Sequence, residues 1–489
     1  MVSYPSLQNI SYVEDQEGAT QCEVSGLLLS SLPPRVANLV SSYPSCHQNH
    51  KQSEMRQAGL KTDAASLFLP REGGSSLATE GSVTSLVTLL LQGGLEGVLN
   101  NVTTALGHGL SNLTRLLMSL QSSLYPHLKL SPGDMVSEYT NTRAWASAHI
   151  RCVAWHPLTT KLAVAHRDDS VSVLSLDPGS ATQPVLKHVA MKGVCALAWR
   201  PLSSSHLAVA CHGGVAVWTV DPNSLVSRPS SSCLTRLARS GHAPVTQVEW
   251  SPDGRLLASS SPADTRIHIW SVETGESETV ARVGGGGATL LRWSQDTRKL
   301  FCASPGTVFR VWDTDTWSPD RWTVGGGRGR VAAAAWAPDS HHLLFATTEE
   351  PVLYCVSFLS QGEAAVPLMD LSKVCLESGE TGGGLVQDIQ WDPTGHRLAI
   401  TFKESNSVCL IRSKPGQARL SPIGLISGSG ENEFPVTLQF QSRAPDYGAL
   451  LTVVWSNDRV QHLPLVFSQH EDLLAEIPET PVEELFTQY

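Results

Sequence analysis

Six tryptophans recur in one local setting, and their spacing constrains the fold more than any other feature of the chain. They are Trp155 in Val153-Ala-Trp-His-Pro157, Trp199 in Leu197-Ala-Trp-Arg-Pro201, Trp250 in Val248-Glu-Trp-Ser-Pro252, Trp293 in Leu291-Arg-Trp-Ser-Gln295, Trp336 in Ala334-Ala-Trp-Ala-Pro338 and Trp391 in Ile389-Gln-Trp-Asp-Pro393. Self-similarity at a period of about 40–45 residues is the signature of propeller blades, each a four-stranded sheet. After each tryptophan strand comes a turn such as Ser251-Pro-Asp-Gly254, in which proline presets φ and glycine accepts a positive φ. A second strand (Lys161-Leu-Ala-Val-Ala165, Arg397-Leu-Ala-Ile400) and a third (Ile267-His-Ile-Trp270, Val408-Cys-Leu-Ile411) alternate as two-faced packing between blades requires.

A seventh, worn unit has Phe440, in Val436-Thr-Leu-Gln-Phe440, where the tryptophan strand should stand. Seven units predict an all-β, seven-bladed WD40-type β-propeller with an N-terminal helical extension. The repeat anchors Trp155, Trp199, Trp250, Trp293, Trp336, Trp391 and Phe440 read as apolar plates wedged between blades. The last unit lacks an outer strand, and residues 135–147 are expected to supply it, removing the open edge.

The expected divisions are an extended or disordered arm over 1–80, a helical extension over 81–134, the propeller over 135–467 and an acidic flexible tail over 468–489. Within the arm, Leu27-Leu-Leu29 offers an apolar anchor. In the extension, Leu106, Leu110, Leu113, Leu117, Leu120 and Leu124 step by alternating fours and threes, a helical stripe that packs on the ring or binds a partner. Residues 97–114 lack Asp, Glu, Lys and Arg but include Asn100, Asn101, His108 and three glycines. They fall short of the roughly 18 apolar residues a membrane span needs, so no membrane insertion is expected.

Charge and chemistry narrow the function. The net charge of −10 argues against direct nucleic-acid binding, which requires clustered Lys and Arg. Ten cysteines lie outside any C-x-x-C pair and read as reduced thiols, mostly small buried hydrophobes, of a cytosolic or nuclear protein, and no secretory signal is expected at the start of the sequence. Asp168-Asp169-Ser170 and Asp264-Thr265 fall in turns between second and third strands, where carboxylates shape the turn. His341-His342 has no third ligand at metal spacing. The glycine runs Gly284–Gly287, Gly325–Gly327 and Gly382–Gly384 lack the Gly-Lys-Ser/Thr of a phosphate loop and read as connectors, with Arg328-Gly-Arg330 able to meet an acidic partner. No catalytic constellation, cofactor site or metal site is expected.

Trp312-Asp313 is the one Trp-Asp dipeptide that closes a third strand, and Gly241-His242 the one Gly-His pair before a unit. Beyond these degenerate WD repeats, Ser123-Leu-Tyr-Pro-His-Leu128, Leu162-Ala-Val-Ala165 with Asp168-Asp-Ser-Val171, Leu197-Ala-Trp-Arg-Pro-Leu-Ser203, Val217-Trp-Thr-Val-Asp-Pro222, Ser227-Arg-Pro-Ser-Ser231 and Gly241-His-Ala-Pro-Val-Thr246 resemble the aladin family of WD-repeat nucleoporins. The likeness spans roughly 84–467, while residues 1–80 match weakly. The resemblance implies a non-catalytic component of the nuclear pore complex at the nuclear envelope. In that family the propeller is held by a transmembrane ring nucleoporin among other nucleoporins, and the family is linked to nuclear protein import and spindle-pole organisation. Two rival readings are a substrate-recruiting adaptor of another complex, such as a ubiquitin ligase, and a propeller enzyme with ionisable groups gathered in its central channel.

Overall fold

In a computed structural model, residues 5–8, 10–13, 21–31 and 126–467 are described, apart from 177–182, 223, 225, 282–285, 325–328, 360–364, 377–380, 416, 431 and 443–447. The leucine stripe Leu106–Leu124 and the acidic tail lie outside the described residues. Seven antiparallel sheets follow one another along the chain, with inner strands Ile150–Trp155, Ala196–Trp199, Gln247–Trp250, Leu290–Trp293, Val331–Trp336, Val386–Trp391 and Pro435–Phe440. Each inner strand neighbours the next, and Pro435–Phe440 meets Ile150–Trp155, so the ring is closed. The core is distributed accordingly. Seven apolar clusters each lie between two adjacent blades, such as Trp155, Leu162 and Leu174 of blade 1 against Val436, Leu450 and Val454 of blade 7.

The ring closes differently from the expectation. Residues 135–147 do not provide the missing strand. Ser131 accepts from the Asp134 N–H and Pro132 opens a helix, α1 (Pro132–Tyr139), whose buried side is Met135, Val136 and Tyr139. That spacing is helical, which is why the segment cannot serve as an edge strand. The strand comes instead from the arm. There β1 (Ser11–Val13) runs parallel to the outer strand of blade 6, Gln417–Ser427, while β2 (Cys22–Val24) runs parallel to Val460–Val466 and completes blade 7, with β3 (Leu27–Leu29) outside it.

The β2–β3 hairpin turns through Ser25 (φ 53°) and Gly26 (φ 99°), the pair of positive φ values that a two-residue turn between twisted strands requires. A side chain at Gly26 would also strike the Arg412 guanidinium, which donates to the Ser25 carbonyl at 2.6 Å. Further upstream, the Pro5 carbonyl accepts from the Asp370 N–H of blade 5, and Leu7, 1 % exposed, fills the seam between blades 5 and 6. The arm therefore stitches three consecutive blades together. Its deepest polar contact is Glu23, which takes two hydrogen bonds from Arg397, at 2.9 Å from Nε and 2.7 Å from Nη2, with both side chains buried.

Candidate functional site

The tryptophan anchors hold seams. Trp199, Trp250 and Trp336 each donate their indole N–H to a carbonyl of the preceding inner strand, those of Ala154, Ala198 and Arg292, at 3.0–3.1 Å. Trp155 reaches across the closing seam to the Thr452 hydroxyl at 3.0 Å. The indole nitrogens of Trp293 and Trp391 are buried without a hydrogen-bond partner among the described residues, and Phe440, 5 % exposed, packs in the seam between blades 6 and 7 without a polar handle.

The paired acids lie in turns and serve the fold. Asp264 accepts from His242 Nδ1 at 3.0 Å, from His268 Nε2 at 3.1 Å and from the Arg266 N–H. The relay continues from His242 Nε2 to the Ser259 hydroxyl, which accepts from the Trp270 indole at 2.8 Å. Despite the opposing effect of burial, the two histidines hold the Asp264 carboxyl far below the usual range, while burial pushes the His242 imidazole down. Among the described residues this is the one group of three metal-type ligands. Both histidines already spend their facing nitrogens on one carboxylate oxygen, so the cluster functions as a buried hydrogen-bond relay. The relay was not legible in the sequence: Gly241-His242 marks only the start of a repeat unit, and His268 lies inside a third strand. In blade 1, Asp169 accepts from Arg151 at 2.8 Å and from the Gly193 and Val194 N–H groups, tying blade 1 to blade 2. His342 pairs with Asp339 at 2.8 Å. Buried thiols are inert: burial pushes Cys22, Cys355 and Cys409 up to about 12.

The central channel carries chemistry that the sequence did not indicate. Arg292, on the inner strand of blade 4, donates to the Ala334 carbonyl of blade 5 at 3.2 Å and to Gln247 of blade 3 at 3.5 Å, and stands 3.9 Å from Asp388 of blade 6. A side chain that contacts three other blades projects into the central channel. Glu249 faces the same space. Burial raises its carboxyl to about 7, with Arg292 opposing, and Asp388 is also pushed up by burial.

One mouth of the channel is stoppered by α1 and residues 140–147. Asn141 donates to Asp388 at 2.8 Å, Thr140 to the Cys195 carbonyl at 3.4 Å, Trp145 to the Val194 carbonyl at 2.9 Å and Arg143 to the Ser405 carbonyl at 2.5 Å. Arg330, half of the predicted acid-binding Arg328-Gly-Arg330, is taken up by Glu138 of α1 at 2.7 Å and lies over the Tyr139 ring. Among the described residues, no helix is long and apolar enough to cross a membrane.

The chain is 28% identical to Aladin of Arabidopsis thaliana over 384 residues, covering 73% of this chain and 83% of that protein. A shorter likeness, 25% over 111 residues, links 22% of the chain to 11% of the human GATOR2 complex protein WDR59. A chain in a crystal structure of the Mitotic Checkpoint Complex superposes with a TM-score of 0.50 at 17% identity, over 67% of this chain and 90% of that one, a likeness of fold alone. The family model described as the Aladin seven-bladed propeller matches residues 131–466, leaving the N-terminal arm outside it, and the chain belongs to the aladin family.

Proposed function

We propose that this protein is a non-catalytic scaffold of the nuclear pore complex that supports nucleocytoplasmic transport, in particular nuclear protein import, through protein–protein contacts of its propeller. Membership of the aladin family is the observation that carries this reading. The closed ring supports it, because rigid blades present loops on two rims where a few anchors suffice for affinity. The proposed partners are other nucleoporins, foremost a transmembrane ring nucleoporin, with spindle-pole proteins in mitosis. The proposed location is the nuclear envelope, with a minor cytoplasmic pool. Fluorescent tagging at endogenous level should give a nuclear rim, and a diffuse signal would refute the proposal. Affinity purification should recover nucleoporins, whereas ubiquitin-ligase subunits in their place would favour the adaptor reading.

One observation favours a second reading. Glu249, Arg292 and Asp388 meet in the channel, as an enzyme's ionisable groups do. The stopper over one mouth and the bond from Asn141 to Asp388 argue for charge balance within the channel. Loss of a measurable turnover in Glu249→Gln, with the fold intact, would establish the enzyme.

A further inference from the structure

The seam between blades 4 and 5 is not filled to its outer edge. A cavity of about 200 Å³ opens there, lined by Phe309, Trp322, Phe345, Tyr354, Thr347 and Ala365 among others. Two cross-strand aromatic pairs form its walls. In blade 4, Phe309 sits opposite Trp322 with rings nearly parallel, 5° apart at 5.9 Å. In blade 5, Phe345 sits opposite Tyr354 at 21° and 5.4 Å. Phe309 and Phe345 meet across the seam at 5.3 Å. A dry cavity of about 150 Å³ with aliphatic and aromatic walls accepts benzene, so this space suits one six-membered ring. The lining is not wholly apolar. Thr347 is fully buried, and its hydroxyl has no hydrogen-bond partner among the described residues. A buried hydroxyl left unpaired costs stability, and a ligand that satisfies it recovers that cost.

The surroundings indicate how such a ring would arrive. Among the described residues the outer strand of blade 4, Ser318–Thr323, is the free edge of its sheet, and every residue but Trp322 is exposed. On the other lip, Val366 is 48 % exposed beside Ala365. An extended peptide can pair with the free edge and drop alternate side chains toward the seam.

We propose that this cavity is a recognition pocket for a phenolic ring, the side chain of a tyrosine presented by a partner protein along the blade 4 edge. The aromatic walls stack the ring and the Thr347 hydroxyl bonds the phenol oxygen. The assignment stands apart from any role at the pore.

The test uses the full-length chain and two side-chain analogues, p-cresol for tyrosine and toluene for phenylalanine, followed by ligand-observed NMR titration. Both should bind saturably, with p-cresol tighter by about five- to tenfold, the worth of one hydrogen bond. Thr347→Val keeps the shape, removes the hydroxyl and should bring the two within about twofold. Ala365→Phe, which fills the cavity from its lip, should abolish both at an unchanged melting temperature. N-acetyl-tyrosinamide should bind as p-cresol does. Failure of both analogues to saturate would overturn the pocket. Equal binding of the two by the unaltered chain would overturn the hydroxyl's role. Binding of p-cresol without N-acetyl-tyrosinamide would overturn the partner-borne tyrosine in favour of a free phenol.

Discussion

Replacing Glu23 by glutamine tests whether the arm is part of the propeller or merely lies on it. The substitution keeps shape and volume and removes the charge. Arg397 would then remain 5 % exposed at its side chain, with the His396 carbonyl at 3.0 Å and the Phe467 ring at 4.6 Å but no counter-charge. Breaking a buried ion pair by removing one partner costs about 3–5 kcal/mol. The two charge-assisted hydrogen bonds from Arg397 give a similar figure, at about 1.5–3 kcal/mol each. Urea denaturation at pH 7.5 should show that loss as a lower midpoint at unchanged slope, and amide exchange should accelerate along Val460–Val466, the strand that β2 covers. The double variant Glu23→Leu with Arg397→Met should recover most of the stability, because the buried charge goes with its partner. A loss below about 1 kcal/mol in Glu23→Gln, or unaltered exchange in blade 7, would refute the arm's structural role.

Other expectations can be checked with the same preparations. Leu7→Ala should cost about 2–5 kcal/mol in chemical denaturation, the usual price of emptying a sealed core site, although the residue lies far in sequence from the seam it fills. Glu249 is neutral-favouring in the fold, with its pKa raised from 4.5 to about 7. The corresponding stability is present in full below pH 4.5 and is lost as pH rises through 7, so Glu249→Gln should stabilise the chain by about 3 kcal/mol at pH 8.5 and by little at pH 5 in thermal melts. Burial lowers the pKa of His242, His166 and His156, so the unfolded chain binds protons more readily. Stability should therefore fall as pH drops below about 6.5, and His242→Gln should flatten part of that slope. Trp145→Ala in the stopper should loosen exchange at Val194 and Cys195 while leaving blade 4 unaffected.

The repeat was legible because its cause is local. Each inner strand ends on a large apolar plate, and five of the seven pass into a turn that carries proline, so residues adjacent in sequence carry the signal. Ring closure was not legible, because β2 finds its partner across nearly the whole chain and its three residues offer too short a run to mark their place. Met135, Val136 and Tyr139 had the spacing of a helix, and reading 135–147 as a strand gave weight to proximity over periodicity. The channel cluster escaped notice because Glu249, Arg292 and Asp388 lie on three different blades, each an unremarkable charged residue in its own strand.

Blade 7 has a composite origin. Gln21 and Gln461 share a buried hydrogen bond across 440 positions, so the first part of this sheet to leave the ribosome waits for the last. A message cut short before codon 460 would yield a chain with six finished sheets, a half-built seventh and an unsheathed hairpin at its other end. Such a product displays two raw edges, each a template for sticking to other chains. Late nonsense changes should therefore make insoluble protein rather than a slightly shorter working one, a distinction visible by fractionating cell extracts.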